Sequence, residues 1–143
     1  MRRCLVTATL VAALAMPAAA LAGTRHFDGS VDPSGGISFD AKTRSGKVVK
    51  VLPGLAFDKV PVTCDGGKRT FTGNFDFGMA VRIGQFKGTG LYDPSGGVKV
   101  AGEFTHHGRR ANGIIRISGD FDLGNGVTRT NCHGSHQWHA HAT

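Results

Sequence analysis

The chain of 143 residues contains a single glutamate, one tryptophan and one tyrosine, and it lacks the common sequence motifs of enzymes. The G-x-S-x-G sequence of serine hydrolases, the H-E-x-x-H sequence of zinc proteases, the P-loop and the dinucleotide-binding fingerprint are all absent. No stretch of ten or more residues places apolar side chains at the spacing of a helix. These absences argue against a nucleotide-binding α/β enzyme and against a mainly helical protein.

The only long apolar run lies at the start of the chain, in MRRCLVTATLVAALAMPAAALAG. Two arginines precede the run, and the small residues Ala20-Leu21-Ala22 follow it, which is the pattern of a secretory signal peptide. The run is shorter than the roughly 20 residues that a membrane-spanning helix needs. We therefore expect residues 1–22 to be cleaved and residues 23–143 to form a soluble protein that is secreted or periplasmic.

Residues 23–143 are long enough for one domain with one hydrophobic core. Without Arg2 and Arg3, 15 of the 17 lysines and arginines remain. Together with 10 acidic residues they give a net charge of +5 when the histidines are neutral. Cys4 is lost with the signal peptide, which leaves Cys64 and Cys132 in a compartment where disulfides persist. We expect these two cysteines to pair; a zinc ligand pair and a nucleophilic thiol are the alternatives.

Alternating side chains predict β-strands throughout the expected mature chain. In residues 111–121 the odd positions are small or apolar and the even positions are mostly polar, so that Ile115 and Ile117 face a core. The same alternation places Val98, Phe104 and Phe77 inside. Glycine-containing turns separate these runs at short intervals. The sequence predicts an all-β protein with about eight antiparallel strands, in a single β-sandwich or a small closed barrel.

A repeated turn suggests an internal duplication. The sequence DPSGG occurs at residues 32–36 and 93–97, and each copy is followed by a strand, a basic turn, further strands and a cysteine. One interpretation is that two β-rich halves of about 60 residues pack together and are linked through their equivalent cysteines. The alternative is that a common hairpin turn arose twice.

Several features together resemble small exported bacterial all-β proteins with one cysteine pair, a family without an assigned function. These features are the signal peptide, the sequence VPVTC before a glycine turn, the strand ANGIIRISGDF and the final strand from a cysteine to a tryptophan. The resemblance covers most of the expected mature chain and implies the fold. It implies no activity and no catalytic residues.

Two basic turns are the candidate anion-binding site. KTRSGK and HHGRR occupy corresponding positions after the two DPSGG turns, and they supply Lys42, Arg44, Lys47, Arg109 and Arg110. If the fold brings both turns to one end, their cations can hold an acidic extracellular or envelope polymer. Nucleic acid is a weaker candidate because no aromatic side chains alternate with the cations. The alternative is that charged turns only keep hairpins soluble.

The histidine-rich end, HGSHQWHAHAT, is the candidate metal site. Alternation in a strand places Cys132 and Trp138 inside and His133, His139 and His141 outside. His139 and His141 on one strand face could bind a divalent metal weakly, but a zinc site needs three or four protein ligands. The alternative is a solvated strand end. The sequence implies no cofactor.

Carboxylates supply the last candidate chemistry, that of a secreted hydrolase. Glycoside hydrolysis needs two carboxylates across a cleft, and Asp76, Asp120 and Asp122 could supply them. Solvated strand positions explain these aspartates as well. The preferred interpretation is a non-catalytic exported module with a binding or structural role.

Overall fold

The computed structural model describes residues 22–143, which form ten β-strands and no helix. The strands are β1 (Ala22–Val31), β2 (Gly36–Arg44), β3 (Lys47–Val51), β4 (Leu55–Cys64), β5 (Gly67–Phe75), β6 (Met79–Ala80), β7 (Gln85–Tyr92), β8 (Gly96–Thr105), β9 (Arg110–Asp122) and β10 (Thr128–Ala142). The predicted all-β class is confirmed.

All ten strands belong to one antiparallel sheet. Eight of them follow one another in the order β5-β4-β2-β1-β10-β9-β8-β7, whereas the short strands β3 and β6 pair with each other beside β2. The sequence predicts about eight strands, and the sheet contains ten: eight on this path, and β3 and β6 beside it. The sheet is not a closed barrel, so the sandwich-like alternative of the prediction is the one that the fold follows.

The sheet folds over on itself and encloses one core. Strands far apart in the sheet order meet there: Phe71 of β5 lies 5.7 Å from Phe121 of β9, measured between ring centroids. The two edge strands also meet, because the ring of Tyr92 on β7 lies 5.2 Å from that of Phe71. The Tyr92 hydroxyl donates a 2.6 Å hydrogen bond to the Asn74 carbonyl oxygen. Side chains, and not a ladder of backbone hydrogen bonds, therefore bring the edges together.

Trp138 is the largest fully buried side chain, and it lies over two glycines. In the sheet register Trp138 of β10 faces Gly113 of β9, which in turn faces Gly102 of β8. A Cβ atom at Gly113 would overlap the Ala101 carbonyl oxygen and lie 2.6 Å from Trp138 Cζ2. A Cβ atom at Gly102 would lie 2.5 Å from the same atom. The indole ring thus occupies the space that side chains on the two neighbouring strands would need.

The predicted strand faces are confirmed along β8, β9 and β10. Ile115, Ile117 and Trp138 are buried, and the histidines at 133, 139 and 141 are exposed. The expectation for Phe77 is wrong, since it lies beyond the end of β5 and is 40% exposed. The chain leaves the strand at Phe75, so the alternation that predicted an inward Phe77 no longer applies there.

Cys64 and Cys132 form a disulfide, as predicted. It joins the end of β4 to β10 beside the backbone pairing of Thr63 with His133. The two cysteines are 68 residues apart in sequence. By the chain-entropy model, closing a loop of that length stabilises the fold by about 4 kcal/mol.

Each half of the chain forms a run of neighbouring strands, β1-β2-β4-β5 and β7-β8-β9-β10. Each DPSGG turn lies between the first two strands of its run. The cysteines, however, are not equivalent: Cys64 ends the third strand of its run, and Cys132 lies in the fourth strand of the other. The duplication stays a prediction that matching connectivity supports.

The proposed signal peptide lies outside the described residues, apart from Ala22. None of residues 22–143 belongs to a helix long and apolar enough to cross a membrane.

Replacement of Gly113 by alanine should destabilise the protein by about 3 kcal/mol, the upper range for overpacking a core. The reason is that the added methyl group meets a backbone carbonyl and the buried Trp138 ring. The matched control is Gly97→Ala on β8, where the nearest atom to a Cβ is 3.9 Å away. Its effect should stay within about 0.5 kcal/mol. Urea unfolding of both variants measures the difference, and equal effects would contradict the packing argument.

Candidate anion-binding site

The fold brings the two basic turns to one end of the molecule. The first turn joins β2 to β3 and the second joins β8 to β9. A Cβ atom at Gly108 in the second turn would lie 3.1 Å from Val48 Cγ2, just after the first turn. The five cations predicted from sequence are all exposed there: Lys42, Arg44, Lys47, Arg109 and Arg110. We call these five residues the cationic end.

Arg25 links β1 to the second turn. It lies near the start of β1, and its Nη1 donates hydrogen bonds to the Gly108 carbonyl oxygen at 2.6 Å and the His107 carbonyl oxygen at 3.4 Å. The basic-turn motifs KTRSGK and HHGRR do not include Arg25. Its position two residues before the buried Phe27 was the available signal, because residues at that spacing share a strand face.

The second turn has an unusual backbone. His106 and His107 have φ angles of 52° and 58°, and Gly108 follows at 72°. Positive φ is uncommon for residues other than glycine, although histidine adopts it more often than most. The turn is closed by hydrogen bonds from the Gly108 and Arg109 amides to the Thr105 carbonyl oxygen. Its carbonyls at 107 and 108 are taken up by Arg25, so Arg109 and Arg110 project from a fixed turn.

The cations of the site are not neutralised by the protein itself. Among residues 22–143 the ion pairs within 4.0 Å all involve histidine, and none involves a lysine or an arginine. A surface pair of this kind contributes only about 0–1 kcal/mol, so its absence costs the fold little. The absence leaves the cationic charge free to attract an anion.

Two carboxylates on β1 and β2 contact a histidine. His26 on β1 lies between two aspartates, with Nδ1 2.6 Å from Asp40 Oδ1 and Nε2 3.2 Å from Asp28 Oδ2. The hydrogen bond with Asp40 and the negative charge of Asp28 raise the pKa of His26 above its ordinary value of 6.5. Both aspartates therefore form ion pairs with His26 when it is protonated.

Carboxylates at the opposite end hold loops in place. Asp122 accepts hydrogen bonds from the Gly124 and Gly126 amides, and Asp120 accepts one from the Asn131 amide. Asp76 lies elsewhere, after β5, and accepts one from the Asn74 side chain at 3.1 Å. Local structure thus accounts for each of the three aspartates considered for a hydrolase.

The C-terminal histidines lie on the outer face of β10. His139 Nε2 is 3.3 Å from Asp32 Oδ2, and His141 lies opposite Arg110 on β9. In the described part of the chain, no three histidine, cysteine or acidic side chains are placed to hold a metal ion together. His136 points inward, and its Nε2 donates to the Pro61 carbonyl oxygen at 2.6 Å.

Comparison of the chain with protein-family models, with curated proteins and with solved structures gives no match.

Replacement of Asp40 by asparagine should lower the pKa of His26, measured by NMR titration of its imidazole protons. The pKa of His26 is raised in the folded state, so protonated His26 stabilises the fold. This stabilisation is complete below about pH 6.5, the pKa of histidine in the unfolded chain, and is lost as the pH rises through the folded-state pKa of His26. Asp40→Asn should therefore lower the free energy of unfolding, and the loss should be larger at about pH 5 than at about pH 8. In a His26→Asn background the effect of Asp40→Asn should not depend on pH, and a persistent dependence would refute the assignment.

Zinc in excess should raise the thermal unfolding midpoint by no more than about one degree. A tight site saturated at 100 times its dissociation constant would add about 2.7 kcal/mol to stability, which corresponds to several degrees. His139 and His141 alone offer two ligands on one strand face. A rise of several degrees that vanishes in the His139→Ala, His141→Ala double variant would make this pair a true metal site.

Proposed function

We propose that this protein is an exported, disulfide-linked β module that binds an acidic polymer outside the cytoplasm through its cationic end. The observation that carries the proposal is the placement of two basic turns side by side, with no carboxylate within 4.0 Å of any lysine or arginine in residues 22–143. All five cations of the two turns are exposed.

The disulfide supports the extracytoplasmic setting. Disulfides persist in oxidising compartments and are rare in the cytosol, so the Cys64 to Cys132 bond indicates a non-reducing environment. The secretory pattern of residues 1–22 points to the same compartment. We place the chain, as a proposal, among the small exported bacterial all-β proteins that it resembles in sequence.

The chemistry of the cationic end favours an acidic polymer over a single small anion. Arginine presents planar donors that match carboxylate, sulfate and phosphate groups, and three of the five cations are arginines: Arg44, Arg109 and Arg110. All five side chains are exposed, so each contact with an anion is weak and is screened by salt. Several weak contacts on one chain add up, because each bound group holds the next nearby.

A binding role also fits the carboxylates better than hydrolysis does. Asp120 and Asp122 accept backbone hydrogen bonds that hold the β9 to β10 connection. Removing either from that position would release unpaired amides. Their structural use supports a non-catalytic module.

Charge reversal at either basic turn should weaken retention on a carboxylated polymer matrix. Arg44→Glu with Lys47→Glu changes the first turn, and Arg109→Glu with Arg110→Glu changes the second. Each double variant should elute at clearly lower salt than the wild type, because it loses two cations and gains two repelling charges.

The matched control is Lys68→Glu with Arg69→Glu, which makes the same change in net charge on β5, away from the basic turns. This control should elute near the wild type. If it elutes as early as the turn variants, net charge alone governs retention and the site assignment is wrong.

A further inference from the structure

A second group of cations lies on the outer face of the sheet, apart from the basic turns. In the register, Lys99 of β8 faces Arg116 of β9, and Thr89 of β7 faces Lys99. Lys87 joins them around a groove of about 630 Å³. We call Lys87, Lys99 and Arg116 the face cluster. Alternation along each strand placed Lys99 and Arg116 outside, but which strands become neighbours cannot be read from either strand alone.

The face cluster is unfavourable for the free protein. Like charges directly opposite each other on neighbouring strands are destabilising, whereas opposite charges at such positions contribute roughly 0.2–1 kcal/mol. No carboxylate among residues 22–143 lies within 4.0 Å of these cations. A bound anionic group would remove this repulsion.

Three neighbouring grooves lie between the face cluster and the cationic end. A groove of about 810 Å³ is lined by Arg110, His141 and Asn112, and a groove of about 820 Å³ is lined by Asn112, Gln137 and Lys87. The first two grooves share Asn112, and the second shares Lys87 with the groove at the face cluster. We call these three grooves together the trough; residues of β8, β9 and β10 line it.

The two ends of the trough are about six residues apart on β9, from Arg110 to Arg116. At about 3.4 Å per residue in an extended strand, this corresponds to about 20 Å. Because both ends lie on strands of one sheet, the separation is fixed by backbone pairing and does not depend on a loop.

The middle groove of the trough is lined by one further cation, Arg82, and by one acidic residue, Glu103, so that their charges oppose each other. Asn112, Gln137 and Gln85 supply amide groups, which both donate and accept hydrogen bonds and so suit sugar hydroxyls. Glu103 lies beside them, with a carboxylate oxygen 3.4 Å from Asn112 Nδ2. Its negative charge opposes the positive charge of Arg82, so a polymer with an anion on every unit gains less here than at the two ends.

We infer that the trough binds an acidic polysaccharide in which neutral sugars separate the carboxylated ones, with anionic groups at the face cluster and the cationic end. This inference rests on the proposed function and specifies its ligand class. Two cation sites at a fixed separation bind a chain that spans both more tightly than a chain that reaches only one. The amides, together with the opposed charges of Arg82 and Glu103, suit the neutral sugars that separate the anionic ones.

The test uses oligosaccharides of alternating uronate and N-acetylhexosamine, measured by calorimetry at low salt. An octasaccharide should bind the wild type at least roughly tenfold more tightly than a tetrasaccharide does. In Lys99→Glu with Arg116→Glu this advantage should disappear while the tetrasaccharide still binds. Lys68→Glu with Arg69→Glu is the matched control and should keep the advantage.

Polyphosphate and a single-stranded oligonucleotide of similar length test the ligand class. Glu103→Gln should raise the affinity for these densely charged chains by roughly threefold or more, because one repelling charge is removed, and should leave the octasaccharide nearly unchanged. Tighter binding of the phosphate polymers than of the octasaccharide by the wild type would overturn the polysaccharide assignment.

The outcomes separate this inference from the proposed function. The turn variants could lose binding while Lys99→Glu with Arg116→Glu keeps the octasaccharide advantage. Binding along the trough would then be refuted, whereas binding at the cationic end would be supported. If the turn variants bind every polymer as the wild type does, the proposed function itself fails.

Discussion

The packing of Trp138 over Gly113 and Gly102 fixes the part of the sheet on which the rest depends. The indole ring is fully buried, and it fits only where two neighbouring strands have no side chain. Within residues 22–143 its Nε1 has no hydrogen-bond partner, a cost of about 1–3 kcal/mol. Removing a buried aromatic ring of this size typically costs about 3–5 kcal/mol. The packing therefore outweighs the unpaired group and sets the register of β8, β9 and β10.

That register determines which side chains meet on the outer face. With Trp138 opposite Gly113, His139 lies opposite Asn112 and His141 opposite Arg110. A slip of one residue would turn every inward side chain outward, and a slip of two would place a side chain under the indole. The arrangement of cations and amides along the trough is thus a consequence of a constraint inside the core.

The sequence predicts correctly those features that depend on the residues of a single strand. Alternation gave the inward faces around Ile115 and Trp138, and the two cysteines of the expected mature chain gave the disulfide. It failed where the strand ends, as at Phe77, and where the signal is divided between strands. Arg25 acts on a turn more than 80 residues away in sequence, and Lys99 meets Arg116 only through the pairing of β8 with β9. The basic turns were found because each is locally rich in cations, but their contact depends on how the whole sheet folds over.

The positions of the carboxylates affect how strongly the cationic end attracts an anion. Asp120 and Asp122 hold a loop far from the cationic end, and Asp28 and Asp40 are bound to His26 close to it. With His26 protonated, this group of three carries one positive and two negative charges, and loss of the proton leaves two carboxylates without a counter-charge. Asp28 also lines the groove that contains Arg110 and His141. Because the raised pKa of His26 keeps it protonated to higher pH, the same interaction that ties β1 to β2 also limits the repulsion that an approaching polyanion would meet.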